Sequence, residues 1–216
     1  MLFHFTSKYI YDWIKKQTNV KEESLTDWLL YFLSEHDKRI YYKAFYRNEE
    51  ANIGADWEWW VITNSEFSKS KYDAYRFLVQ AKKLKMSRDN YPLLSYSNKN
   101  GMQIDLLINE AKERNALPLY MYYSIAKADY FYPNDIEIEI VRCCENWLNG
   151  CYLSPAITVE DMIFRSPRTK ISAEQLLNHA LRLSVLDHLI EENNISELLK
   201  HVNKQYQKIN GDQNFA

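Results

Sequence analysis

Asp56, Gln80 and Lys82 are the residues of this chain whose types and spacing can do chemistry together. They lie in two stretches, 55–63 (ADWEWWVIT) and 75–84 (YRFLVQAKKL), whose β-branched and aromatic content reads as strands. Side chains alternate along a strand, so Asp56, Glu58, Trp60 and Ile62 share one face while Trp57, Trp59 and Val61 share the other. On the second stretch Arg76, Leu78, Gln80, Lys82 and Leu84 share a face. If the two strands are neighbours, about 4.8 Å apart, Asp56, Gln80 and Lys82 meet on one surface. A carboxylate and an amide oxygen can anchor Mg²⁺ or Mn²⁺, with water completing the shell. Hydrolysis of a phosphodiester needs such a metal, plus a cation such as Lys82 for the charge that develops at phosphorus. Spacing alone allows a plainer reading, in which Asp56 and Glu58 face solvent with Lys82 as their cross-strand ion-pair partner.

Several elements must position these residues. Residues 8–18 suit a short amphipathic helix. In 21–35, Leu25, Trp28, Leu29, Phe32 and Leu33 recur at helical spacing, with Glu22 and Glu23 in the first turn, where the helix dipole favours acids. Strands are expected over 39–47, 55–63, 75–84 and 117–125, polar loops over 64–74 and 86–101, and a helix over 101–115. The order α-β-β-β-α-β over 22–125 implies a mixed sheet with helices packed on it. Residues 136–148 fit either strand or helix. Two further amphipathic helices are expected over 171–192 and 194–209, ahead of a frayed tail.

Bulk properties exclude several classes. Hydrophobic residues make up 46% of 216 residues, so the chain buries a full core and is not disordered. With only 4 Gly, no phosphate-cradling glycine loop is present. The net charge of −2 excludes a general nucleic-acid coat, although Lys82, Lys83, Lys85 and Arg88 form a local basic run. Cys143, Cys144 and Cys151 are odd in number and lack a CxxC spacing, so neither a disulfide framework nor a zinc site is expected. No apolar run reaches membrane-spanning length, the N-terminus is unlike a signal peptide, and a cytoplasmic setting is expected.

The segments ESLTD (23–27), GADWEWW (54–60), VQAKKL (79–84), QIDLLI (103–108) and PLYMYY (118–123), in this order, resemble the PD-(D/E)xK restriction-endonuclease-like superfamily. Within it they are most similar to its Mrr-like branch, and to a bacterial, largely uncharacterised family there. The likeness covers about 20–160 and includes NGCYLSPAITV (149–159). It implies an α/β (α+β) fold with a restriction-endonuclease-like core over 1–160, and a C-terminal helical extension over 161–216 packed on the same domain. By position, Asp56 matches the metal-binding Asp, Gln80 and Lys82 match the (E/Q)-x-K pair, and Glu23 matches the helix-borne Glu, with Glu22 as an alternative. Gln80 in place of Glu removes a charge, and Glu58 is a candidate to supply it. The function implied is a Mg-dependent endonuclease acting on nucleic acid, DNA foremost, in defence against phage or foreign DNA. Lys83, Lys85, Tyr91 and Gln103 are then expected to contact the nucleic acid, and a homodimer or a defence-system partner protein to supply specificity. The contrasting reading is a nuclease fold without catalysis that binds nucleic acid or a protein.

Overall fold

The computed structural model describes residues 1–64, 72–84, 96–125, 150–165, 171–177 and 179–191. The chain opens with two amphipathic helices in contact, α1 (Leu2–Lys16) and α2 (Glu22–His36), followed by strand β1 (Ile40–Ala44). A short helix α3 (Arg47–Ile53) leads into β2 (Trp57–Asn64) and β3 (Tyr72–Lys83). A two-stranded hairpin, β4 (Ser97–Asn98) and β5 (Gly101–Met102), precedes α4 (Gln103–Glu113) and β6 (Leu117–Tyr123). The described C-terminal part adds β7 (Cys151–Pro155), α5 (Ala156–Arg165), α6 (Ala173–Leu177), β8 (Leu181–Arg182) and α7 (Val185–Glu191).

The main sheet has the order β1-β2-β3-β6-β7-β8. Pairing is antiparallel from β1 through β3, parallel between β3 and β6, and antiparallel again to β8. The parallel step is the one that α4 bridges, as a crossover requires. This is the mixed α/β sheet that the order of elements implies.

Alternation along the strands feeds two cores. Trp57, Trp59, Val61, Phe77, Val79 and Ala81 point to a layer built from α1, α2 and α7, and all are buried. Leu78, Tyr120 and Tyr122 point the other way, to α4, α5 and α6. Trp57 and Trp59 are therefore packing residues, edge-on to each other at 5.7 Å between ring centroids. Their burial fixes the register, because a one-residue slip would drive both rings into the opposite core and turn Glu58 into the apolar layer they fill.

Three expectations need correction. The strand expected over 39–47 ends at Ala44, and α3 follows it before β2 begins. Helix α3 is only seven residues long, and its apolar content is too low to show a helical period. Its own Glu49 closes the N-terminus by accepting the Tyr46 amide at 2.9 Å, and near the C-terminus Asn98 and Asn100 donate to Ala51 O at 2.9 and 3.0 Å. The helix expected over 8–18 begins earlier, at Leu2, with Phe3 and His4 amides received by the Asp187 carboxylate at 2.9 and 2.7 Å. The single helix expected over 171–192 is broken into α6, β8 and α7, because Leu181 and Arg182 pair with Leu153 and Tyr152 at the sheet edge. Residues 136–148 and 194–209 lie outside the described residues.

Candidate active site at the α2–α3–α4 end of the sheet

Asp56 and Gln80 come together through the β2–β3 register. Trp57 pairs with Val79, and the Asp56 amide continues that ladder by donating to Val79 O at 2.8 Å. The Asp56 carboxylate then folds onto β3, where its Oδ2 accepts the Ala81 amide at 2.6 Å and Gln80 Nε2 at 2.7 Å. Gln80 Nε2 also reaches Ala81 O at 3.1 Å, and Gln80 Oε1 accepts from Gln103 Nε2, at the start of α4, at 2.5 Å. Gln80 is 1% exposed, so each of these bonds offsets a desolvation cost that an unpaired amide would carry.

These groups line a cavity of about 330 Å³ together with Glu22, Glu23, Thr26 and Asp27 of α2, Ala44, Phe45, Glu50 of α3, Lys82 and Tyr96. Glycine at position 54 makes the arrangement possible. It ends α3 in the left-handed conformation, at φ +77°, and a Cβ there would lie 2.3 Å from Gln103 O and 2.6 Å from Leu107 N. Only a residue without a side chain lets α3 and α4 close on the same end of the sheet, so Gly54 sets both walls of the cavity.

Among the described residues, Lys82 makes neither an ion pair nor a hydrogen bond, while facing Glu22, Asp56 and Glu50 electrostatically. The cross-strand ion-pair reading of Asp56, Glu58 and Lys82 is thus not what the fold adopts. Glu58 is a second correction. It is 1% exposed and absent from the cavity lining. Its carboxylate is ion-paired with Arg76 and lies 3.5 Å from Arg114 Nη1, while Arg76 Nη1 donates to Arg114 O at 2.8 Å. Glu58 therefore ties β2 and β3 to the end of α4 and is not available to replace the charge that Gln80 lacks.

Lys83 is a third correction. Its ammonium donates to Thr18 O at 2.7 Å and Val20 O at 2.6 Å, and its amide donates to the Glu22 carboxylate. It clamps the α1–α2 connection to β3 and so fixes where α2 begins, rather than reaching outward to a phosphate backbone. Lys85 and Tyr91 lie outside the described residues. Gln103 does line the cavity. Both helix-borne acids, Glu22 and Glu23, line it as well; Glu22 is the partly buried and tethered one, and Glu23 is exposed. Glu50 is the residue that the sequence did not disclose. The signal for it was the pair Glu49–Glu50 just ahead of Gly54, which has meaning only once α3 is recognised as a helix.

Electrostatics at this end of the sheet are one-sided. Burial pushes the Glu22 carboxyl up to about 7, against the opposing pull of Lys82 and the Lys83 amide. Burial also raises Asp56, opposed by Lys82, the Ala81 amide and Gln80. Glu50 is raised by burial and by the neighbouring Asp56 and Glu23. Several carboxylates thus crowd around one lysine, and the cavity favours an added cation.

The donor set fits a hard divalent cation. Gln80 Nε2, the positively polarised end of an amide, already sits between Asp56 Oδ2 and Ala81 O. A half-turn of that amide presents its oxygen to the same place. Among the described residues no three His, Cys, Asp or Glu side chains form a ready-made cage. The donors are one carboxylate, one amide and one main-chain carbonyl, a set suited to an ion that keeps several waters.

Glu22 carries a pH signature. Its folded-state value lies above the ordinary 4.5, so the folded protein binds the extra proton between about pH 4.5 and 7. Stability is full below that window and falls as pH rises through it, by about 3 kcal/mol in metal-free buffer. Glu22→Gln keeps an oxygen for the Lys83 amide and removes the charge. The expected result is a melting temperature above wild type at pH 8 in EDTA, converging with wild type near pH 4.5. A difference independent of pH would show that Glu22 is not the titrating group.

The model of one protein family, described as a family of unknown function (DUF6615), matches residues 1–207. No curated protein matches the chain significantly.

Proposed function

The chain belongs to the DUF6615 family, and since that family's description names no activity, we propose from the site itself that this protein is a metal-dependent phosphodiesterase acting on nucleic acid. The observation that carries the reading is one cavity lined by Asp56, Gln80 and a Lys82 that makes no hydrogen bond or ion pair among the described residues, within a surplus of carboxylates. The resemblance of GADWEWW and VQAKKL, which carry these same residues, to the PD-(D/E)xK superfamily supports it.

Asp56, Gln80 and the Ala81 carbonyl would hold Mg²⁺ or Mn²⁺. When bound, that ion supplies polarisation of a phosphoryl oxygen and a more acidic water. The remaining work belongs to side chains. Lys82 faces the phosphate and offsets the negative charge that grows on its oxygens during attack. The Ala81 amide and Gln80 hold the Asp56 carboxylate in one orientation, and Gln103 holds Gln80 in turn. Glu22 and Glu23 on α2, with Glu50 on α3, stand where a water near the phosphate could lose a proton. The raised Glu22 suits proton transfer near neutral pH.

DNA is the first substrate to test, and defence against foreign DNA in the cytoplasm is the setting that the resemblance suggests. No helix among the described residues is long and apolar enough to cross a membrane. A non-catalytic binding module remains the contrasting proposal, favoured by the uncharged Gln80 at a metal-ligand position. Purified protein is expected to cut DNA or RNA with Mg²⁺ or Mn²⁺ and to stop on addition of EDTA. It is also expected to bind Mg²⁺ in calorimetry, with that heat lost in Asp56→Asn. Binding of nucleic acid with neither cleavage nor Mg²⁺ heat would support the binding module instead.

A further inference from the structure

We infer that the cavity takes an unpaired strand, DNA or RNA, with Tyr46 and Tyr96 as stacking platforms for the nucleotides on either side of the scissile phosphate. The inference rests on the phosphodiesterase reading and specifies its substrate class.

Size comes first. A cavity of about 330 Å³ lies at the small end of ligand pockets and suits one nucleotide-sized group. A duplex presents grooves about 6 to 12 Å wide with both strands paired, and α2, α3 and the Tyr96 segment stand around the cavity that holds Asp56 and Lys82. A phosphate reaches Lys82 from a strand that can enter singly.

The rim supplies the second observation. Tyr96 lines the cavity yet is 50% exposed, and its carbonyl accepts the Gln103 amide at 2.9 Å, which fixes its backbone beside α4. Tyr46 is 79% exposed, directly follows the cavity residue Phe45, and lies one helical turn before the cavity residue Glu50. Its amide is held by the Glu49 carboxylate, so the ring stands on an anchored backbone. Neither ring contributes to the buried core. Aromatic rings held open beside a phosphate site stack on unpaired bases of any sequence, whereas paired bases offer no free face.

Charge points the same way. Duplex binding draws on many lysine and arginine contacts along both backbones. Among the described residues, Lys83 is committed to the α1–α2 connection, Lys43 to Glu49 at 3.1 Å, and Arg76 and Arg114 to Glu58, which leaves Lys82 and the exposed Arg47, next to Tyr46, as the cations acting on the cavity's acids. Stacking, with these two cations and a bound metal at one phosphate, is the affinity that the described surface offers.

The test measures binding of fluorescently labelled oligonucleotides to wild-type protein with Ca²⁺ in place of Mg²⁺, which holds the site without rapid turnover: single-stranded DNA, single-stranded RNA and blunt duplex DNA of the same sequence. Single strands are expected to bind at least tenfold more tightly than the duplex. Tyr46→Ala and Tyr96→Ala, added singly, are each expected to weaken single-strand binding by about tenfold, with Tyr→Phe retaining it and melting temperatures unchanged. The DNA and RNA arms decide the sugar. Duplex binding as tight as single-strand binding, or alanine variants that bind like their parent, would overturn the inference while leaving phosphodiesterase activity standing. Absence of binding to every oligonucleotide, with no cleavage by wild type, would overturn both.

Discussion

Lys82→Ala is expected to lose cleavage by about 10²–10³-fold or more while the protein stays folded. The size follows from what the residue would do, since one preorganised charge aimed at a developing oxyanion contributes about that much. The fold should survive because, among the described residues, Lys82 makes no hydrogen bond or ion pair, and its side chain belongs to neither buried core. The local cost is electrostatic. Lys82 opposes the burial of Glu22, Asp56 and Glu50, so its removal raises those acids further and lowers stability at alkaline pH in EDTA. Activity is therefore best compared in Mg²⁺ at a pH where both proteins are fully folded. Lys82→Arg keeps a charge on a longer, planar group and should recover only part of the rate. Equal activity of Lys82→Ala and wild type would remove the assignment of this residue to the reacting phosphate.

The second large effect concerns Gly54, which touches no substrate. Gly54→Ala places a Cβ 2.3 Å from Gln103 O and 2.6 Å from Leu107 N, both of them main-chain atoms of α4. A flexible side chain could step aside, whereas a helix backbone moves only as a unit. The left-handed conformation adds about 1–2 kcal/mol for any residue with a side chain. A total near 4 kcal/mol is expected, a fall of roughly 10 °C in melting temperature for a chain of this size. Because Gly54 lies two residues before Asp56 and against the first turn of α4, the folded fraction should also lose the Gln103–Gln80–Asp56 alignment. Reduced Mg²⁺ affinity at a temperature where the variant is still folded checks that second part. A variant as stable as wild type would mean that α3 and α4 approach less closely than the structure shows.

Much of the architecture was legible from one-dimensional patterns, for reasons particular to the elements concerned. Helix α2 announces itself because Leu25, Leu29 and Leu33 must all reach one core. Trp57 and Trp59 need a dry face, which puts Asp56 on the opposite side of their strand, whereas the pairing of 57–64 with 72–83 that brings Gln80 to it is supplied by the fold. Alternation with period two is a local property, so the face of Asp56 on one strand, and the shared face of Gln80 and Lys82 on the other, could be assigned before any distance was known.

The tertiary structure decided which charges are free. Glu58 shares a strand face with Asp56 at the same spacing as any D-x-E pair, and only the return of α4 brings Arg114 to join Arg76 against it. Lys83 stands next to Lys82 in a basic run that reads as one surface, yet carbonyls from residues 18 and 20 claim its ammonium. Glu50 enters the cavity on a helix too short to show a period. Strand periodicity, and with it the strand faces that carry Asp56, Gln80 and Lys82, is written into neighbouring residues. Whether a lysine or a carboxylate is spent on structure or left for chemistry depends on partners dozens of residues away, and only the closed fold supplies those.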